Sequence, residues 1–379
     1  MHKKAHVLFL FSDTGGGHRS AAEAIIEALS LEFGDSFSTE LVDFFKNYAP
    51  PPFNKMPDIY PQLAKAPRLW QAGFYATDGR PQARVISSAL WPYARRAAKK
   101  LIESHPSDII VTTHAFANSF ALKALGRERT RRFISVVTDP ITTHALWFDK
   151  RADLILVPTE SARARAIKVH MPPEKIHVVG QPVMGRHCAP PGDKRILREK
   201  LNWPQDKFTA LLVGGGDGMG PLERTAIAIA ASGLDVGLVV VTGRNARLQA
   251  TLEARNWPIP TRIYGFTNDL PDFMRAADVL VTKAGPGTIA EALNAALPII
   301  LYARVPGQED GNVTYVEEEG LGVWAPRAKR VVETLQKWTG DPAERERVAQ
   351  NCLRAARPDA ARVIARFIAE QAELIQSAQ

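Results

Sequence analysis

Val279-Leu280-Val281-Thr282-Lys283-Ala284-Gly285-Pro286-Gly287-Thr288-Ile289-Ala290-Glu291-Ala292 opens as a short apolar run, breaks at two glycines and a proline, and resumes as a helical pattern. That is a buried strand, a tight turn and a helix start, the unit from which parallel α/β sheets are built. Gly285 and Gly287 open the turn, and Thr288 stands where the helix is expected to begin, offering its hydroxyl and N–H to phosphate oxygens. Glu291, three residues on, either closes a capping box with Thr288 or reaches two ribose hydroxyls, since a carboxylate accepts two hydrogen bonds at once.

The same alternation extends in both directions. Strands are expected at residues 208–213, 236–242, 262–265, 279–282 and 298–302, and in the first half at 7–11, 40–44, 108–113, 133–138, 153–158 and 175–179. Helical patterns lie between them, and a last one runs over 358–379. Around Gly180-Gln181-Pro182 and Pro190-Pro191-Gly192-Asp193 the periodicity fails, which marks a linker. For 379 residues, two α/β domains are the natural division: 1–185, 186–357, and a C-terminal helix 358–379 that packs back on the first domain.

Two further glycine clusters follow strands. Asp13-Thr14-Gly15-Gly16-Gly17-His18-Arg19-Ser20 lies between the first strand and the first helix. Its three consecutive glycines match neither a dinucleotide fingerprint nor a Walker loop. His18 there is either a base for an acceptor hydroxyl or a plain helix-capping histidine. Gly214-Gly215-Gly216-Asp217-Gly218 repeats the layout in the second half, as a backbone cradle for a diphosphate or as ordinary packing. Val305-Pro306-Gly307-Gln308-Glu309-Asp310-Gly311-Asn312 offers several hydrogen-bonding side chains after the next strand, which suits recognition of sugar hydroxyls.

The formal charge of +8 is concentrated. Between residues 44 and 105 ten Lys/Arg meet three acids, and ten of the chain's aromatics are interleaved with them. Such a stretch fits an anionic membrane surface, where tryptophan and tyrosine favour the headgroup zone. The plainer reading makes the aromatics core and the charges a solvated face. No uncharged apolar run approaches the ~20 residues of a spanning helix, so a peripheral protein on the cytoplasmic face of the cell membrane is expected. Cys188 and Cys352 offer neither a disulfide framework nor metal-ligand spacing.

Together, residues 13–19, 283–292 and 306–309 resemble monogalactosyldiacylglycerol synthases and bacterial diacylglycerol glycosyltransferases of glycosyltransferase family 28. The resemblance implies the GT-B fold, two Rossmann-like domains facing across a cleft, and an inverting, metal-independent hexosyltransferase without a cofactor. Its donor is UDP-galactose or UDP-glucose and its acceptor diacylglycerol. It further implies that Gly215 and Gly216 approach the diphosphate, Phe266 adjoins the uracil, Thr288 binds phosphate and Glu291 ribose. Gln308 and Glu309 then hold the sugar with Asn312 nearby, and Lys283 is a candidate cation for the leaving group. His18 is the expected base, with Asp13 as its rival or orienting partner, on the glycine loop of Gly15, Gly16 and Gly17. Thr138, Asp139, His144 and Trp147 are expected near the acceptor. Lacking the transit extension of the plant enzymes, the chain is expected to be bacterial. A nucleotide-sugar epimerase of the same architecture is the alternative reading. A basic nucleic-acid-binding protein ranks lower because no binding motif accompanies the charge, so no nucleic-acid partner is expected.

Overall fold

The computed structural model describes residues 4–14, 16–63, 66–126, 130–218 and 220–377. The chain divides into two compact units: residues 1–185 with 306–308 and 359–379, and residues 186–305 with 309–358.

The first unit is built on a six-stranded parallel sheet, β1 (Ala5–Phe11), β2 (Phe37–Asp43), β3 (Ile109–Thr112), β4 (Arg132–Val136), β5 (Leu154–Val157) and β6 (Ile176–Val178), in the order β2-β1-β3-β4-β5-β6. Its central strands are apolar and buried throughout: Val7 to Leu10 and Ile109 to Val111 expose nothing, as a sheet covered on both faces requires. Helix Gly17–Phe33 covers one face together with the C-terminal helix Ala360–Ser377. Ile25 and Leu29 from the former meet Ile364 and Ile368 from the latter in one core. Glu32 accepts from Arg362 and Arg366 at 3.5 and 3.2 Å along the edge of that contact.

The second unit has its own parallel sheet, β7 (Phe208–Val213), β8 (Val236–Val241), β9 (Thr261–Tyr264), β10 (Val279–Lys283), β11 (Ile299–Ala303) and β12 (Gly322–Trp324), ordered β12-β11-β10-β7-β8-β9. Read from β9, this is the classical dinucleotide-fold order, with the winding direction reversing between β7 and β10. In the first unit the reversal falls between β1 and β3.

Several expected boundaries move. The strand expected at 40–44 runs instead from Phe37 to Asp43, and Phe44 begins a helix, because the Asp43 carboxylate accepts from Lys46 N (3.0 Å) as an N-cap. The helix expected to start at Thr288 starts at Pro286, with Gly285 as N-cap and no side-chain cap, so Thr288 and Glu291 form no capping box. Proline at the first helical position explains the earlier start, its ring being pre-set to the helical φ. Strand β12 and the helices Ala115–Leu125, Ala328–Gly340 and Pro342–Ala355 were not anticipated.

Ile368 is wholly buried, so Ile368→Ala is expected to destabilise the first unit by about 2–5 kcal/mol. Urea denaturation, compared with the exposed control Leu374→Ala, measures the difference.

Candidate functional site

In the first unit, residues following β1 and β3 converge at the strand reversal. His18 opens the first turn of the helix after β1. Its Nδ1 lies 2.7 Å from the Thr113 carbonyl, which can only accept, so Nδ1 carries the proton and Nε2 keeps its lone pair. The Thr138 hydroxyl stands 3.1 Å from the same nitrogen, and the Thr113 hydroxyl donates to His18 O at 2.9 Å. Loss of solvation outweighs the hydrogen bond to Thr113 and pushes the His18 pKa down to about 4. The imidazole is therefore neutral near pH 7, in the tautomer a base requires.

The His114 ring packs beside it, centroids 4.5 Å apart and planes tilted by 59°. This second imidazole is buried; its Nδ1 accepts from Phe116 N (3.3 Å), leaving Nε2 to donate to Thr14 Oγ1 (3.0 Å). Burial, and after it the charge of His18, hold its pKa well below the usual imidazole value. Asp13 receives both Nε and Nη2 of Arg19, at 2.7 and 2.6 Å. Asp139 accepts from Trp147 Nε1 at 2.6 Å, and His144 Nε2 lies 3.2 Å from the Thr77 hydroxyl.

In the second unit, the turns after β7 and β10 flank the reversal. Residues 214–218 turn with Gly215 and Gly218 at positive φ, and this turn packs backbone to backbone on the one after β8. A Cβ on Gly218 would lie 2.4 Å from Thr242 O, and one on Gly243 would lie 2.4 Å from Gly216 O. Only glycine fits either place. Two cations flank the turn: a Cβ on Gly215 would lie 3.3 Å from Lys283 Cε, and one on Gly216 3.3 Å from Arg244 Nη2.

Lys283 Nζ is held by Glu309 Oε1 at 2.6 Å, and Glu309 Oε2 accepts from Val305 N at 2.7 Å. Asn312 Nδ2 donates to Ala284 O at 2.9 Å. Glu309 and Asn312 are both buried, and these contacts tie the segment after β11 to the turn after β10. Around Gly287 a Cβ would meet nothing within 4 Å, so space lies open before the uncapped helix start that carries Thr288. Phe266, 65% exposed, follows β9 with the Arg244 guanidinium 6.0 Å from its ring centre.

Glu291 sits one turn into that helix. Burial raises its pKa to about 7, against the opposing pull of Arg186. His187 Nε2 lies 3.8 Å from Glu291 Oε1, and His187 Nδ1 is buried without a partner.

The family model described as monogalactosyldiacylglycerol (MGDG) synthase matches residues 18–183, and that of the glycosyltransferase family 28 C-terminal domain matches residues 209–364. The chain is 39% identical over 370 residues to a probable chloroplastic monogalactosyldiacylglycerol synthase of Glycine max, covering 94% of this chain and 70% of that protein. It is likewise 39% identical over 367 residues to the chloroplastic enzyme of Spinacia oleracea, covering 93% and 70%. The chain belongs to the monogalactosyldiacylglycerol synthase family. Among solved structures, MurG of Acinetobacter baumannii superposes with a TM-score of 0.60 at 14% identity, over 97% of this chain and 99% of that one. A putative UDP-N-acetylglucosamine 2-epimerase of Listeria monocytogenes gives 0.62 at 15%, over 97% and 95%.

The fold is thus GT-B, and it is common to a protein titled as an epimerase; membership of the synthase family is what separates the two readings and makes this chain a UDP-sugar glycosyltransferase. The relatives named here are plant chloroplast proteins, so the expectation of a bacterial source gains no support from them.

Within this synthase-family chain, Gly215, Gly216, Lys283, Gly285, Gly287, Thr288, Glu309 and Asn312 gather around the β7/β10 reversal, with Phe266 on the adjoining β9 side. Gln308 groups with the first unit, together with Pro306 and Gly307. Gly16 and Gly17 lie beside His18, and Gly15 falls outside the described residues. His114, Thr113 and His187 were not singled out from the sequence. The first two follow β3 directly.

Lys283→Met leaves the buried Glu309 carboxylate without its cation. Allowing for the partial exposure of Lys283, about 2–3 kcal/mol of stability is expected to be lost. The double variant Lys283→Met/Glu309→Gln should recover most of it in thermal melts; equal melting temperatures for all three proteins would disprove the role.

Proposed function

We propose that the protein transfers galactose from UDP-galactose to the free hydroxyl of 1,2-diacylglycerol, giving a β-galactosyl diacylglycerol. The observation that carries this reading is the 39% identity, over nearly the whole chain, to proteins named as monogalactosyldiacylglycerol synthases. His18 acts as the base: Nε2 takes the acceptor proton while the acceptor oxygen bonds to the sugar C1 and the C1–O bond to the diphosphate breaks. UDP leaves with that electron pair, and attack from the opposite face converts an α-linked donor into a β-glycoside. Arg19 keeps Asp13 occupied, which favours His18 over Asp13 as the base. Thr113 orients the ring.

The donor lies at the β7/β10 reversal. Its diphosphate meets the N–H groups of the Gly215-Gly216 turn and of the helix carrying Gly287 and Thr288, with Lys283 as the nearby positive charge. Glu291 accepts from the ribose hydroxyls, Phe266 adjoins the uracil, and Gln308 contacts the sugar. Glu309 acts through Lys283, and Asn312 through the backbone of the turn it holds. Fixed dipoles and this cation stabilise the leaving group without a metal. Among the described residues no helix is long and apolar enough to cross a membrane. Helices Pro67–Thr77 and Arg80–Ser104 expose Leu69, Tyr75, Val85 and Tyr93 among exposed Arg68, Arg84, Arg95, Arg96, Lys99 and Lys100. That combination supports peripheral attachment to anionic lipid at the cytoplasmic face of a membrane.

The deciding assay supplies diacylglycerol vesicles with labelled UDP-galactose or UDP-glucose in EDTA and identifies the lipid product and its anomer. No glycolipid from either donor sinks the proposal; β-glucosyl product alone changes the sugar. His18→Ala should lower kcat by roughly 10²–10⁴. In the wild-type enzyme the acid limb of kcat/KM assigned to His18 should fall near its pKa of about 4, not near 6.5. For Glu291 the sign runs the other way: its pKa of about 7 lies above the ordinary carboxylate value, so the hydrogen-bond-accepting form is lost as pH falls through 7. The KM for UDP-galactose should rise below that pH, and Glu291→Gln should flatten the dependence.

A further inference from the structure

We propose that the first unit holds one acyl chain of the acceptor in a half-open apolar pocket beside His114; the inference rests on the acceptor assigned under the proposed function. The pocket is about half open to solvent, and its walls include Phe44, Phe45, Tyr48, Leu90, Ala97 and Phe116.

Three observations point to a hydrocarbon occupant. First, the wall carries almost no polar surface, and the hydroxyls of its two tyrosines are engaged. Tyr48 Oη lies 2.6 Å from His105 Nε2, and Tyr93 Oη donates to the Pro51 carbonyl. A polar guest would find no partner there. Second, small residues make up much of the wall: Ala94, Ala97 and Ala98 of helix Arg80–Ser104 and Ala117 and Ala121 of helix Ala115–Leu125. Third, the pocket adjoins the reaction centre. Phe44, Phe45 and Phe116 pack around the His114 ring with centroid separations of 5.2, 5.6 and 6.1 Å, and His114 in turn packs tilted against His18 at 4.5 Å. A chain seated here runs away from the base, with its glycerol end toward His18. Tyr93, 49% exposed, stands at the solvent side with Arg95 and Arg96 beside it, where a lipid enters from a surface.

The test narrows the pocket from its half-buried side with Ala97→Phe and, as a milder change, Ala94→Leu. Thermal melts and UDP affinity check that each variant is folded. Binding of cis-parinaric acid, an 18-carbon fluorescent chain, is read on the intact protein, and kcat/KM is compared for dioleoylglycerol and the soluble dioctanoylglycerol. Loss of parinarate binding, with at least about a tenfold fall for dioleoylglycerol and a smaller one for dioctanoylglycerol, is the expected result. Unchanged parinarate binding in both folded variants overturns the proposal. So does an equal fall for both substrates, or a loss that tracks loss of vesicle sedimentation, which makes the face a bilayer contact. Parinarate bound and lost as expected, with no glycolipid formed by the wild type, keeps the pocket and removes the proposed acceptor.

Discussion

Parallel strands cannot be joined by tight turns, so every strand in this chain must be followed by a crossover that returns over one face of the sheet. Where successive crossovers change face, two neighbouring turns part and leave a crevice at the carboxyl ends of the strands. Each unit has one such place, between β1 and β3 and between β7 and β10. The residues carrying the proposed chemistry come to these two places because the winding leaves backbone N–H groups and helix starts unobstructed there. The glycines at 218 and 243 follow from the same constraint: turns leaving adjacent strands run so close that a Cβ would strike a carbonyl.

What each crevice does with charge differs. The first removes it. His18 and His114 are packed against each other and shielded from water, and both are held neutral. A protonated ring would repel its neighbour and lack solvation. The second crevice concentrates charge and balances it. Lys283 is paired with Glu309 and Arg244 with Asp217, so neither cation beside the turn stands uncompensated. Glu291 differs from both: its carboxylate is half-buried, and loss of solvation raises its pKa to about 7 against the pull of Arg186.

The legibility of these features follows from their physics. Central strands read clearly because burial on both faces demands unbroken apolar runs such as Val279 to Val281. Strand β12 did not, since three residues at a sheet edge, all half-buried, carry no such signal. The turn after β10 was recognisable from its glycines and proline, yet its capping stayed open, because the Thr288-to-Glu291 spacing fits a capping box equally well one turn inside a helix. Roles within the loop after β11 were harder. Gln308, Glu309 and Asn312 look alike as polar loop residues. Only packing reveals that Glu309 and Asn312 face inward to Lys283 and the Ala284 carbonyl. His114 was overlooked because no local pattern marks it; its significance comes from contacts about a hundred residues away in sequence, to Thr14 and His18.

The basic, aromatic segment shows how one composition serves two purposes. Along helix Arg80–Ser104, Ser87, Leu90, Ala94, Ala97, Ala98 and Leu101 recur at helical spacing on the covered side, while Arg84, Arg95, Arg96, Lys99 and Lys100 occupy the outer one. The charges stand on the exposed side, and some aromatics are core: Phe44 and Phe45 are buried. The covered side also carries small residues where large ones would be expected: Ala94, Ala97 and Ala98 line a half-open apolar pocket together with Ala117 and Ala121. Burial of a long helix is normally stabilised by large side chains meeting across the contact. In the proposed reading an acyl chain supplies those apolar contacts instead, which gives the small residues a physical reason to stand near the two histidines.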